Sequence, residues 1–233
     1  MTNVELALGA SFLAAGYLCG SIPFGLLVGR LKGVDVRTMG SGNIGATNVG
    51  RVLGRGFGMA VFGLDVLKGL LPVVVAGTWL LPVASGEGLA DVSAVQYLLW
   101  VGVAAASILG HVFPVWLGFK GGKGVATSLG ALLGIYPFFT VPGLVALGLW
   151  VAVAAATRYV SAASMVGAVT FPIVFAMAAR LRAEQWGGLD RLWPMYVFAI
   201  LIAVLVVYRH RSNLQRLLAG TESKIGSSRG PAA

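Results

Sequence analysis

Long apolar runs separated by short polar stretches dominate the chain, over roughly 5–29, 53–81, 95–117, 124–136, 139–156, 162–180 and 193–208. A helix that crosses a bilayer needs about 20 apolar residues, and most of these runs come near that length. The fourth is short. Pro137 and Pro142 separate it from the fifth, so residues 124–156 form either two helices or one bent one. None of the runs alternates as a membrane strand of ~10 residues would. The pattern predicts an all-α polytopic membrane protein of about seven transmembrane helices, built as one integral-membrane domain over residues 1–225. The remaining stretch, 226–233, is rich in Gly, Ser and Pro and is expected to be a disordered tail. No internal repeat suggests an inverted-repeat transporter.

Composition agrees with this. Of 233 residues, 58% are hydrophobic and 11% charged, where a soluble domain carries about a quarter charged residues. Residues 1–28 lack a basic start and carry Glu5, which predicts an uncleaved first span. The single cysteine, Cys19, excludes an internal disulfide.

The net charge of +9 is distributed unevenly. With the N-terminus outside, inner segments hold 13 of the 17 basic residues: Arg30, Lys32, Arg37, Arg51, Arg55, Lys120, Lys123, Arg158, Arg209, Arg211, Arg216, Lys224 and Arg229. Outer segments hold 3, namely Arg180, Arg182 and Arg191, while Lys68 lies within a span. Glu5, Glu87, Asp91, Glu184 and Asp190 collect outside. This asymmetry predicts an outer N-terminus and a cytoplasmic C-terminus. It also accounts for the charge without nucleic acid, since no basic helix is interleaved with aromatics. Trp79, Trp100, Trp186 and Trp193 fall near span ends and are expected as interface anchors.

The inner segments carry the polar chemistry. The first reads GSGNIGATNVGR, with Ser41, Gly42, Asn43, Thr47, Asn48 and Arg51. Glycines let backbone amides approach an anion, and an arginine entering a helix offers a planar fork to phosphate. The competing reading is a solvated loop anchored by Arg51. The second, GHVFPVWLGFKGGKGVATSLG, begins with Gly110 and His111. Its centre, Lys120-Gly121-Gly122-Lys123-Gly124, feeds a helix bearing Thr127 and Ser128. A glycine turn opening a helix suits phosphate. It is not a Walker A loop, because Val125 follows Lys123-Gly124, so ATP is not indicated. The competing reading is a tight turn with two anchoring lysines. The third, Thr157 to Ser161, is too short to be diagnostic. In the fourth, RHRSNLQRLLAGTESKIG, His210 and Asn213 share a helix face and Arg216 extends it. A basic helix lying on anionic lipid is the alternative there. Asp65 and Lys68, at i and i+3 inside the second span, are expected to pair structurally.

These four segments, in this order, resemble the bacterial membrane-bound acyl-phosphate:glycerol-3-phosphate acyltransferases over roughly 5–226. The resemblance implies transfer of a fatty acyl group from acyl phosphate to the 1-hydroxyl of glycerol 3-phosphate. The products would be lysophosphatidic acid and inorganic phosphate, in phospholipid synthesis. It implies no cofactor or metal, a multi-pass place in the bilayer of the bacterial inner membrane, a site facing the cytoplasm, and a soluble acyl-phosphate synthase as partner. Carried over by motif, Ser41 and Arg51 match an essential serine and arginine. Lys123 and its glycines match a phosphate loop, Ser161 a pocket serine, and His210 and Asn213 a functional pair. Glu222 matches a glutamate tied to structural integrity. Gly50 departs from the larger apolar residue common before the arginine, and the 181–192 outer loop is longer than usual.

The donor is a reactive anhydride, so the difficulty is electrostatic: two phosphate-bearing reactants must meet. Like unit charges 4 Å apart at an effective dielectric of 20 repel by ~4 kcal/mol. Arg51, Lys123, Lys120 and His210 would offset that. Ser41 lacks a GxSxG elbow and a well-placed carboxylate-backed histidine, which argues for direct transfer. Either His210 or a substrate phosphate takes the proton, and the phosphate is favoured. The rival is a transporter or binding protein for organic phosphates, which predicts a mid-membrane site.

Overall fold

The computed structural model describes residues 3–81, 88–89 and 92–225, with side chains from Leu6 onward. Glu87, Asp91, Arg229, the expected tail over 226–233 and the Glu5 side chain lie outside the described residues. Among those described, every regular element is helical. In chain order they are α1 (Asn3–Gly20), α2 (Phe24–Leu31), α3 (Ala46–Leu53), α4 (Arg55–Leu80), α5 (Ala94–Val112), α6 (Val125–Gly134), α7 (Thr140–Thr157), α8 (Val160–Leu181), α9 (Ala183–Trp186), α10 (Leu189–Arg209) and α11 (Arg211–Leu218). A 3-10 turn, Val115–Leu117, follows α5.

Among the described residues, six segments are long and apolar enough to cross a membrane: Leu6–Leu31, Arg55–Leu80, Ala94–Leu117, Thr140–Thr157, Val160–Leu181 and Leu189–Arg209. The seventh expected segment is α6, with ten residues. At 1.5 Å per residue it covers roughly 15 Å, half the hydrocarbon thickness. Residues 124–156 thus form two helices, joined through a turn that buries Ile135, Phe138 and Phe139. Glycines let α6 lie close on α4. A methyl at Gly69 would strike the Thr127 carbonyl, and one at Gly130 the Val66 carbonyl. Small residues permit this backbone approach inside a bilayer.

Two boundaries differ from the pattern. The first span breaks at Ser21–Pro23, where Lys68 Nζ donates to the Ile22 carbonyl at 2.7 Å. The second does not begin at residue 53. Gly54, with φ of 99°, ends α3 and separates it from α4. Arg51 therefore sits in the last turn of a short helix rather than at the mouth of a long one.

An aromatic cluster fills the core end remote from the polar segments. Phe139 packs edge-on against Phe171 and Phe175 and stacks on Phe198, with centroids 4.7–5.7 Å apart. Phe138 meets Tyr97 and Trp186. Trp100 and Trp186 are buried at 2% and 4% exposure, and Trp100 Nε1 donates to the Val73 carbonyl. Those two tryptophans are core residues, not interface anchors. Of the four expected anchors, Trp79 and Trp193 are exposed, at 68% and 42%. An amphipathic ring near a span end serves either place, and hydropathy does not separate them.

Candidate functional site

The glycine segment is buckled onto the end of α5. The N–H groups of Gly121 and Gly122 donate to the Val112 and His111 carbonyls, both at 3.1 Å. From the other side Arg209 Nη2 donates to the Gly121 and Gly122 carbonyls, at 3.2 and 2.9 Å. These two glycines therefore spend their amides on the end of α5. What the turn leaves toward a ligand is Lys123 and the amides that open α6. Arg209 is a site residue that the sequence did not single out. Its one signal was a position next to His210.

Lys123 donates to Asn213 Oδ1. Asn213 Nδ2 in turn donates to Glu222 Oε1 at 2.6 Å. The same carboxylate accepts from Ser161 Oγ at 2.7 Å and from Arg216 Nε at 2.7 Å. Three segments distant in sequence, at Lys123, Ser161 and Asn213–Glu222, thus meet around one carboxylate. Arg51 joins from α3, with Nη2 3.4 Å from the Ser223 carbonyl. Arg158 fixes the segment after α11, donating to the Ile225 carbonyl at 2.8 Å. Gly220, with φ of 67°, ends α11 and turns the chain back toward Ser161.

Charge in this network is tuned by burial. Lys123 is pushed down to about 8, first by desolvation and then by Arg216, Arg51 and Arg209, against the pull of Glu222. His210 is pushed down to about 4, mainly by desolvation. Its Nδ1 lies 2.7 Å from the Val206 carbonyl, which assigns the ring proton to Nδ1 and leaves Nε2 as an acceptor. Burial raises Glu222, but hydrogen bonds from Asn213, Ser161 and Arg216 outweigh it and hold the carboxyl below its ordinary value.

The GSGNIGATNVGR loop is organised by Asn48, which is buried. Its amide donates to the carbonyls of Val36, Met39 and Asn43, and its Oδ1 accepts from the Ser41 N–H at 2.8 Å. Asn43 Oδ1 accepts from the Gly45 N–H. Asn48 and Asn43 shape the loop from within. Ser41, Gly42, Thr47 and Lys120 are exposed. Among the described residues the Ser41 hydroxyl has no protein partner.

Thr127 is fully buried with its hydroxyl unpartnered, and its backbone packs against Gly69 of α4, which gives it a framework position rather than one on the loop surface. His111 is buried beneath the loop. A methyl on Gly122 would collide with its ring, and its Nδ1 is 3.6 Å from Asp65 Oδ1. Asp65 pairs with Lys68 at 2.8 Å. This buried group supports the loop from the bundle side.

Beside the polar cluster an apolar groove of ≈ 670 Å³, its open mouth included, runs down between α6, α7, α8 and α10. Val125, Ser128 and Val206 line its head, and Leu132, Gly143 and Phe171 its far end. The head residues adjoin Lys123–Gly124 on one wall and His210 on the other.

A family model described as glycerol-3-phosphate acyltransferase matches residues 10–220. The chain belongs to the glycerol-3-phosphate acyltransferase family. A relative from Geobacter sulfurreducens, named glycerol-3-phosphate acyltransferase, is 44% identical, over 91% of this chain and 94% of its own. One from Synechococcus is 45% identical over 92% and 94%. A crystal structure of PlsY (YgiH), an integral membrane glycerol 3-phosphate acyltransferase in its glycerol 3-phosphate form, superposes with a TM-score of 0.77. It shares 37% identity, over 94% of this chain and 96% of that one. The lysophosphatidic acid form of that enzyme matches with a TM-score of 0.75 at 36% identity. Family membership fits what the fold presents: a cation cluster and a long apolar groove sharing one mouth.

Proposed function

We propose that the protein transfers a fatty acyl group from acyl phosphate to the 1-hydroxyl of glycerol 3-phosphate, giving lysophosphatidic acid and inorganic phosphate. The observation that carries the reading is the junction of groove and cluster. An acyl chain lying along Val125, Leu129, Ala146 and Gly167 brings its head group to Lys123, beside Arg51 and Arg216. Two phosphates crowd there, and fixed cations in a partly dry site offset their repulsion without reorganising. Arg51 and Lys123 serve as phosphate clamps, Asn213 and Glu222 aim Lys123, and the free Ser41 hydroxyl donates to a phosphate or the reacting hydroxyl. The catalytic set is Ser41, Arg51, Lys123, His210 and Asn213. Glycerol 3-phosphate and acyl phosphate are the small-molecule partners, met at the cytoplasmic face of the bacterial inner membrane. A soluble acyl-phosphate synthase would supply the donor.

The acyl carbon leaves one phosphate oxygen and bonds to the glycerol oxygen, whose proton must go elsewhere. His210 at about 4 is a weak base, whereas a substrate phosphate with a second pKa of ~6 is a better match. His210 then holds its place by donating to Val206, and its Nε2 accepts from substrate. A transporter of organic phosphates would need polar groups at mid-depth, where this groove is apolar.

The test is phosphate release by pure protein. Acyl phosphate with glycerol 3-phosphate should release phosphate and form lysophosphatidic acid, and acyl-coenzyme A should support no transfer. Labelled acyl phosphate alone should leave no label on the protein. Equal rates with the thioester would refute the donor assignment. An acyl ester on Ser41 that passes to added acceptor would refute direct transfer.

A further inference from the structure

Two serines line the apolar groove, and only one of their hydroxyls is satisfied. Ser164 Oγ donates to the Val160 carbonyl at 2.8 Å and accepts from Trp150 Nε1 at 3.1 Å. Ser128 is 5% exposed, and its Oγ has no hydrogen-bond partner. A helical serine ordinarily turns back to the carbonyl four residues earlier. Ser128 does not: the Gly124 carbonyl takes its backbone N–H at 2.7 Å, but not its hydroxyl. The hydroxyl is left in the groove wall.

Its surroundings say what it could hold. Ser128 lies one turn into α6, just beyond Gly124, whose left-handed backbone (φ of 86°) bears no side chain. A methyl there would press on Val112 at 3.1 Å and Ile108 at 3.5 Å and lie 3.9 Å from Ser128 Oγ, so the glycine lets the loop close on α5 beside the hydroxyl. Lys123, the residue before Gly124, points to Asn213. Across the groove is Val206, whose carbonyl holds the His210 ring.

We propose that Ser128 Oγ–H donates to the carbonyl oxygen of the acyl donor at the head of the groove. The inference rests on the acyltransferase reading above. A donor with its phosphate at Lys123 and its chain among Leu129, Leu132 and Gly167 has one polar atom left over, the carbonyl oxygen. Ser128 is the unpartnered hydroxyl on the wall between those two anchors. During transfer the carbon–oxygen bond to phosphate breaks and the bond to the glycerol oxygen forms. The glycerol hydroxyl proton goes to a phosphate oxygen. Negative charge gathers on the carbonyl oxygen as the acceptor adds, and the Ser128 hydrogen bond strengthens at that point. Ser128 keeps its own proton throughout.

The experiment separates this from a packing role. Replacing an unpartnered buried hydroxyl by hydrogen should leave Tm unchanged or raise it. Ser128→Ala is expected to lower kcat/KM for acyl phosphate by about tenfold to a hundredfold. KM for glycerol 3-phosphate should stay within about twofold of wild type. Ser128→Thr, which keeps the hydroxyl, should retain most of the activity. Should the alanine variant lose its fold, Ser128→Cys reads the same loss, because a thiol is a weak donor of similar size. Normal kcat/KM for acyl phosphate in a folded Ser128→Ala or Ser128→Cys protein overturns the assignment alone. Failure of the wild-type protein to transfer from acyl phosphate overturns the functional reading and this assignment together.

Discussion

Lys123 carries a charge that its surroundings make conditional. Burial and three neighbouring arginines push it down to about 8, so it is a cation below that pH and loses its charge as pH rises through it. If its charge holds glycerol 3-phosphate, kcat/KM for that substrate, which reports the free enzyme, must fall as pH passes about 8. Lys123→Arg keeps a charge at every working pH, so its profile should stay level there even if its rate is lower. A wild-type profile flat between about pH 7 and 10 would exclude the role. Other residues show how far sequence alone reached. Lys123, Asn213 and Glu222 were legible as polar groups in glycine-rich or basic segments, and the fold joins them by direct hydrogen bonds. The part played by Arg209 was not legible. It depends on two carbonyls 87 and 88 residues away, and nothing local marks a basic side chain that reaches backbone instead of lipid. A histidine ordinarily titrates in a useful range, which keeps His210 open as a proton acceptor in the sequence. Desolvation, with Lys123 and Arg209 nearby, outweighs the hydrogen bond to Val206 and removes that option, and burial is a property of the fold.

At the scale of elements, the glycine segment acts as a buckle between α5, α6 and α10. Sequence suggested glycines that open the backbone to a ligand. The structure gives Gly121 and Gly122 a different reason. A methyl at Gly121 would meet the His111 carbonyl and Pro114, and one at Gly122 the His111 ring. Overpacking of this kind costs about 1–3 kcal/mol. Gly122→Ala should therefore shift His111 and lift Lys123 away from Asn213. Thermal unfolding should show a lower Tm, and KM for glycerol 3-phosphate should rise more than kcat falls. An unchanged KM in a folded protein would break the link between the buckle and binding. Hydropathy located the long helices but not the separation of α3 from α4. That break depends on Gly54 adopting a positive φ, and a glycine inside an apolar helical pattern does not announce it.

At the scale of the molecule, the ten residues of α6 pose the question of how many times the chain crosses. The site answers it by parity. Lys123 precedes α6, and Asn213 follows α10, yet the two are hydrogen-bonded. Arg209, at the end of α10, reaches Gly121 and Gly122. Both ends of the stretch from 125 to 209 therefore lie at one end of the bundle. Since α8 and α10 go out and back, α6 and α7 must also make a full return. The short helix manages this because the turn after it continues outward: Phe138 packs on Tyr97 and Trp186, which flank the opposite end. Adding the single crossings of Leu6–Leu31, Arg55–Leu80 and Ala94–Leu117 gives seven, an odd number. The termini would then face opposite sides, and we propose from the 13-to-3 division of basic residues that the polar end faces the cytoplasm. Cysteine labelling checks both steps. In a Cys19→Ala background, Ser93→Cys at the start of α5 should react with an impermeant maleimide added to intact cells. Ser228→Cys, beyond the described residues, should react only after permeabilisation. Reaction of both from one side would mean an even number of crossings. Reversed accessibility would keep seven crossings and turn the cation cluster to the outer face, away from a cytosolic supply of glycerol 3-phosphate.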